Sequence, residues 1–495
     1  MADQSSLKNA YLPYAKDIGI VAVAQAIISL LQFLRLPILT KWLGAELYGT
    51  WSMIWVAIFL TSSLATLGLN MAMVRFLAAE KDIGRIRQGF LSAVVTVLGA
   101  GLLCSLVLAL CSDYFAASFL GDRNASQLIR LSSLMILTQA LSQMGFAFFR
   151  TLSQMKWYSG LLVGKAAAEL ALMAFFLILD WELTGLVIAV LVSDVLCTTM
   201  AFFIALRRVG FQLPRFVHLG SYLKYGLPLV PANAILWIIH YSDRYFIGYF
   251  MLTKDVGIYA AAYALASIIS LLLGPLQVVL LPTVSKTYID GDIDVTRTYL
   301  KYSLKYLLAL SLPAVFGLSV LAAPLLHILT TKEFGAGSAV VPFIALGLVF
   351  YGLYQVCLQI FLLAKKTYLS LIMLGSSAAL DICLNVALIP IMGILGAAVA
   401  ALIAYFALGM LALLVSSRYL KFDLGLPFIL KSLFASAVMT IAIWLMSPSS
   451  LAQVIICIFA GVVIYFILLL ALKGFSRAEL SLFKRLLSPS AASKM

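Results

Sequence analysis

Charge is scarce in this sequence: Asp, Glu, Lys and Arg make up 11% of its 495 residues, against about 25% in an ordinary soluble domain. With 63% hydrophobic residues and a mean hydropathy of +1.07, that scarcity excludes a water-soluble fold. The six cysteines (Cys104, Cys111, Cys197, Cys357, Cys383, Cys457) include no Cys-x-x-Cys pair and have no histidine at metal-ligand spacing. They read as small packing residues, not disulfide partners or ligands. No Gly-x-x-x-x-Gly-Lys-Ser/Thr loop is present, which excludes ATP hydrolysis of that kind. No polar stretch approaches the length of a soluble domain, and no nucleophile and base stand together. The sequence is therefore not that of an enzyme with a catalytic head.

What it has instead is long apolar runs. Each helical crossing of a bilayer takes about 20 apolar residues, and scanning for such runs predicts fourteen spans: 17–39, 48–69, 89–111, 127–148, 159–179, 185–206, 226–249, 256–280, 299–323, 339–363, 367–389, 394–415, 429–446 and 452–472. The first run is too long for a signal-peptide core and lacks a small-residue cleavage site, so it is expected to be retained. The longest outer segment, about 112–126, is too short for an extracellular catalytic loop.

Basic residues test the count. With the N-terminus inside, the inner segments hold 26 of the 34 Lys and Arg residues, and the outer segments hold four: Lys41, Arg123, Lys254 and Lys332. That asymmetry places both termini in the cytoplasm and requires an even number of spans. It also accounts for the net charge of +14 without nucleic acid. Landmarks recur at an offset of 208 to 211 residues: Arg35 with Arg244, Gly49 with Gly257, Arg87 with Arg297, Gly185 with Gly396. The expected fold is an all-α polytopic membrane protein of two six-helix lobes plus a terminal helix pair. Its segments would be an N-lobe over 1–206, a cytoplasmic linker over 207–224, a C-lobe over 225–415, two extra helices over 416–472 and a basic cytoplasmic tail over 473–495.

Charges inside the spans are the candidate functional residues, because each costs on the order of 3 kcal/mol at the bilayer centre and is faced inward, paired or hydrated. Four cations qualify: Arg35, Arg130, Lys165 and Arg244. On the seventh helix Asn233, Trp237, His240 and Arg244 fall within about 60° of one another. On the first, Gln25, Ser29, Gln32 and Arg35 form a broader polar arc. Two such stripes would line a water-filled cleft in which arginine forks bind an anion such as pyrophosphate. The alternative is that Arg35, Arg130 and Arg244 snorkel into headgroups or pair with neighbours such as Asp243, the reading favoured for Arg130. Lys165 and Glu169, four apart, are expected to form an ion pair. Glu169, Asp194, Asp243, Asp381 and Asn385 are candidates for coupling to a proton or sodium gradient, with His240 as a further titratable group. No cofactor is expected.

Several stretches together resemble the polysaccharide and O-antigen flippases of the multidrug/oligosaccharidyl-lipid/polysaccharide exporter superfamily. They are Leu43-Gly44-Ala45-Glu46-Leu47-Tyr48-Gly49, Asp243-Arg244-Tyr245-Phe246-Ile247-Gly248, Val256-Gly257-Ile258-Tyr259-Ala260-Ala261-Ala262-Tyr263 and Gly393-Ile394-Leu395-Gly396-Ala397-Ala398. The resemblance runs the length of the chain. It implies a V-shaped pair of lobes in the cytoplasmic membrane that passes a polyprenyl-pyrophosphate oligosaccharide from the inner to the outer leaflet, in company with membrane lipids and polysaccharide assembly machinery. It also implies cleft cations, carried here by Arg35 and Arg244. A drug or small-cation antiporter of the same superfamily is the competing transport reading, although those chains usually have twelve helices and an acidic cleft. A membrane oligosaccharide polymerase or ligase is the competing enzyme.

Overall fold

The computed structural model describes residues 4–120, 125–476, 479 and 481. Arg123 and most of the 473–495 tail lie outside them. Among the described residues all regular structure is helical, and thirteen segments are long and apolar enough to cross a membrane. One of these counts twice. Helix α1 (Gln4–Ala65) holds an apolar stretch of 47 residues, Gly19–Ala65. At 1.5 Å per residue that is about 70 Å, twice the hydrocarbon thickness. Gly44 divides it, with φ 69° and ψ −179°, a conformation that a side chain would strain. The second arm starts with the Ala45 N–H donating to the Glu333 carboxylate at 3.3 Å, which satisfies one of the donors a helix start leaves open. The first and second predicted spans are thus joined end to end, and the sequence's count of fourteen stands.

Short α2 (Leu69–Leu77) leads to α3 (Ile83–Leu110), whose N-cap Asp82 accepts from the Gly84 N–H at 2.8 Å. Such a cap stabilises a helix by about 1 kcal/mol. A short α4 (Ser112–Phe115) precedes α5 (Ser126–Thr151), α6 (Met155–Ile178) and α7 (Glu182–Val209), which close on Gly210 at φ 77°. Their shared core is aromatic: Phe90, Phe148 and Phe149 are fully buried, with the Phe90 and Phe148 ring centroids 4.7 Å apart. Outside this core the spans present large apolar side chains to their surroundings, among them Leu103 and Leu196, as lipid-facing helices must. Cys111 and Cys383 are also exposed, which corrects the reading of all six cysteines as packing residues.

The seventh predicted span is not one helix. It is α8 (Leu219–Gly226), α9 (Leu229–Tyr241) and α10 (Asp243–Phe250). Pro228 supplies no N–H at the first junction, and Ser242 continues the helical path at φ −66°, ψ −29°. The eighth divides into α11 (Thr253–Ala266), α12 (Ile268–Leu271) and α13 (Gly274–Ile289). The polar 281–298 stretch read as an inner loop is mostly helix, because α14 (Ile293–Leu329) begins there. Hydropathy locates where a helix meets lipid, whereas Lys, Tyr and Thr let it run on into water. Then come α15 (Val341–Leu363), α16 (Thr367–Met392), α17 (Ile394–Ser416), α18 (Leu426–Met446) and α19 (Leu451–Ala471). A capping box opens α19: the Gln453 N–H donates to Ser450 Oγ while Gln453 Oε1 accepts from the Ser450 N–H.

The described residues form two compact units. The first comprises Met1–Ala261, Leu329–Glu333 and Ala378–Ala397, and the second Ala262–Ile328, Phe334–Ser377 and Ala398–Met495. In the second, Tyr354 and Tyr405 are fully buried, the Tyr354 hydroxyl bonding Ser370 Oγ at 2.6 Å. Ser432 and Tyr465 share a hydrogen bond of 2.8 Å between α18 and α19.

Candidate functional site

All fifteen residues singled out above lie in the first unit. The structure gathers all of their charges except that of Arg130 into two clusters.

The first spans α1, α5, α6 and α7. Arg35 donates from Nη1 to Glu169 Oε1 at 2.7 Å and stacks its guanidinium 5.1 Å from the Trp55 ring centroid. Lys165 pairs with Asp194, a carboxylate with no solvent exposure. This corrects the expected Lys165–Glu169 pair. Neighbours four apart on one helix do share a face, but each of these two finds its opposite charge on a different helix. Asp194 also accepts from Ser142 Oγ at 3.2 Å and Thr138 Oγ1 at 3.4 Å, and Ser142 shares a 2.6 Å bond with Thr198. Those hydroxyls satisfy the lone pairs that the ammonium leaves open, which a buried pair requires. Lys165 lines a cleft of about 680 Å³ between α6 and α7, together with Lys156, Trp157, Gly160 and Gly164.

The second cluster lies where α9, α10, α11 and α16 meet. Arg244 is 5% exposed. Its Nη1 donates to Asp243 Oδ1 at 3.1 Å and to the His240 carbonyl at 3.2 Å, and its guanidinium lies over Tyr241. Asp243 Oδ2 accepts from the Tyr259 hydroxyl. Beside it Asp381 Oδ2 accepts from Ser242 Oγ at 3.3 Å and Asn385 Nδ2 at 3.1 Å. The other side-chain oxygens of Asp381 and Asn385 are buried with no hydrogen-bond partner among the described residues. Tyr48 lies in the electrostatic field of both Arg35 and Arg244.

The remaining candidates are placed differently. Arg130 is exposed, its Nη2 donating to both carboxylate oxygens of Asp113 at 2.9 and 3.0 Å and its Nε to Ser112 Oγ. Gln25, Gln32 and Asn233 are exposed, and Ser29 is half-buried. Trp237 donates its indole N–H to the Val56 carbonyl at 2.9 Å, tying α9 to α1. Sequence reasoning missed Trp55, Thr138, Ser142, Thr198, Ser242 and Tyr259, the uncharged partners that make the buried charges tolerable. Thr138 and Ser142, four apart on α5, were the one visible signal. No group of three or more His, Cys, Asp or Glu side chains able to hold a metal exists among the described residues.

Residues 14–288, more than half of the chain, match the polysaccharide biosynthesis protein family. The chain belongs to that family. Residues 228–387 match the MatE family as well. No curated protein sequence matches. Among solved structures, the chain is similar to the lipid II flippase MurJ in an inward closed conformation, with a TM-score of 0.75 at 19% identity over 90% of this chain and 97% of that one. An inward-facing multidrug resistance MATE transporter of the MOP superfamily gives 0.67 at 16% identity, over 80% and 97%. A MOP superfamily transporter from Pyrococcus furiosus, described by the reversed polarity of its binding pocket, gives 0.57 at 15%, over 81% and 95%. At such identities the likeness establishes the fold, which is that of the exporter superfamily the sequence resembles.

Proposed function

We propose that this chain is a transporter that flips a polyprenyl-pyrophosphate-linked oligosaccharide from the cytoplasmic to the outer leaflet by alternating access, for surface polysaccharide biosynthesis. The observation that carries the reading is the state of Arg35. It sits within a membrane span, yet it spends one hydrogen bond on Glu169 and its other N–H groups have no protein partner among the described residues. A guanidinium with open donors suits a phosphate that arrives and leaves. Arg244 is likewise paired with a carboxylate, Asp243, but its side chain is 6% exposed against 25% for Arg35, which gives an incoming anion less access. Family membership and the fold of a lipid II flippase support the same substrate class.

Replacing Arg35 with Ala tests this in cells whose own copy is deleted. Surface polysaccharide should be lost, lipid-linked repeat units should accumulate on the cytoplasmic side, and the protein should still insert. Normal surface polysaccharide from the variant would overturn the assignment.

The MatE match and the acidic second cluster favour a further element, a transport cycle driven by an ion. Asp243, Asp381 and Asn385 are its candidate groups, since two of their oxygens are buried without a donor. Transport in proteoliposomes should respond to an imposed sodium or proton gradient, and D381N should abolish that response. Indifference of the wild type to both gradients removes the coupling.

A further inference from the structure

The start of α3 and the segment that follows α7 enclose a pocket of about 260 Å³, away from both clusters. Gln88 closes it. Its Nε2 donates to the Leu213 carbonyl at 3.4 Å and its Oε1 accepts from the Arg215 N–H at 2.9 Å, so one side chain clasps the non-helical segment from both sides. Arg87 adds a bond from Nη1 to the Val209 carbonyl at 3.5 Å.

Arg85, Arg87, Arg215, Asp82 and His218 line the pocket with Gln88. Arg85 is shared between Glu80 and Asp82 at 3.5 and 3.9 Å. Arg87 and Arg215 have no carboxylate within ion-pair distance among the described residues, and Arg87 Nε is buried without a partner there. Two arginines without a carboxylate partner among the described residues line one hollow, which suits an anion, and the guanidinium fork matches phosphate oxygens. The volume falls below the roughly 300 Å³ at which drug-sized sites begin. That suits a headgroup and excludes a sugar repeat unit.

The surroundings identify the source of the anion. Phe211, Leu213 and Val217 are 72 to 75% exposed beside Arg215. A pocket for a soluble anion has no use for a bare apolar rim. At the end of two spans, such a rim lies against acyl chains while the basic groups meet headgroups. We propose that this pocket binds the phosphate of an anionic membrane lipid, which bridges the post-α7 segment to the start of α3. The occupant is a resident lipid, separate from the transported one.

Native mass spectrometry of the purified full-length chain tests this, with phosphatidylglycerol, phosphatidylcholine and inorganic phosphate as probes. Wild type should retain phosphatidylglycerol and shed phosphatidylcholine. R87Q/R215Q should retain about tenfold less phosphatidylglycerol, whereas K366Q, which removes a basic residue in the second unit, should match wild type. Arg87 also holds backbone, so R215Q alone decides if the double variant aggregates, and it should show a severalfold loss. Equal retention by the Arg variants, or an equal loss in K366Q, would overturn the proposal. Displacement of the lipid by millimolar inorganic phosphate would also overturn it and mark a site for free anions.

Discussion

Asp194 has no exposure and holds a lysine inside a membrane span, so removing its charge strands the ammonium. Breaking one side of a buried pair costs about 3–5 kcal/mol. D194N should therefore lower the thermal midpoint of the purified protein well beyond what K165M/D194N does, because the double variant leaves no orphan charge; equal losses would show that the pair is not coupled. At the other end of the chain Glu479 is buried and accepts from Lys305 Nζ at 2.7 and 2.8 Å. Burial alone would raise its carboxyl, but the hydrogen bonds from Lys305 and Ser476 outweigh it and hold the value below that of an ordinary glutamate. A depressed value stabilises the docked segment above the unfolded pKa and loses that contribution as pH falls through the folded one. The protection of the amides at residues 473–476 against hydrogen exchange, taken relative to the intrinsic exchange rate at each pH, should accordingly fall on acidification, and E479Q should show the lower protection already at neutral pH.

Among the helices, close approach depends on glycine at one position above all. A Cβ on Gly257 would strike the Ala45 carbonyl, and one on Gly49 would strike the Thr253 carbonyl, so the second arm of α1 and α11 meet backbone to backbone. G257A should destabilise by about 1–3 kcal/mol, the range for overpacking, measured against G19A, whose added methyl meets nothing within 4 Å. The sequence marked both glycines through their shared offset, and it marked every crossing through hydropathy. It could not mark the segmentation of α9 and α10 at Ser242, because the backbone there stays helical and no residue type announces the break. Nor could it pair Arg35 with Glu169 or Lys165 with Asp194. Periodicity ranks neighbours along one helix, whereas these partners are chosen by which helices pack together. The charges were legible one by one; the hydroxyls that make them affordable were not, because serine and threonine are common in any span.

For the molecule as a whole, the distribution of basic residues predicts its orientation. Single cysteines placed at Lys254 and Lys332, in a chain freed of Cys111 and Cys383, should react with a membrane-impermeant maleimide in intact cells. Cysteines at Lys81 and Lys366 should react only after permeabilisation, and the reverse pattern would turn the molecule over. The Gly44 corner adds a constraint of its own. Since no loop separates the two arms of α1, inserting one residue after Ala45 has nowhere to be absorbed and would turn the following arm by about 100° about its axis. Trp55 would swing off the Arg35 guanidinium and Gly49 off its neighbour together. The chain here behaves like a screw thread, in which length and angular phase cannot be altered separately.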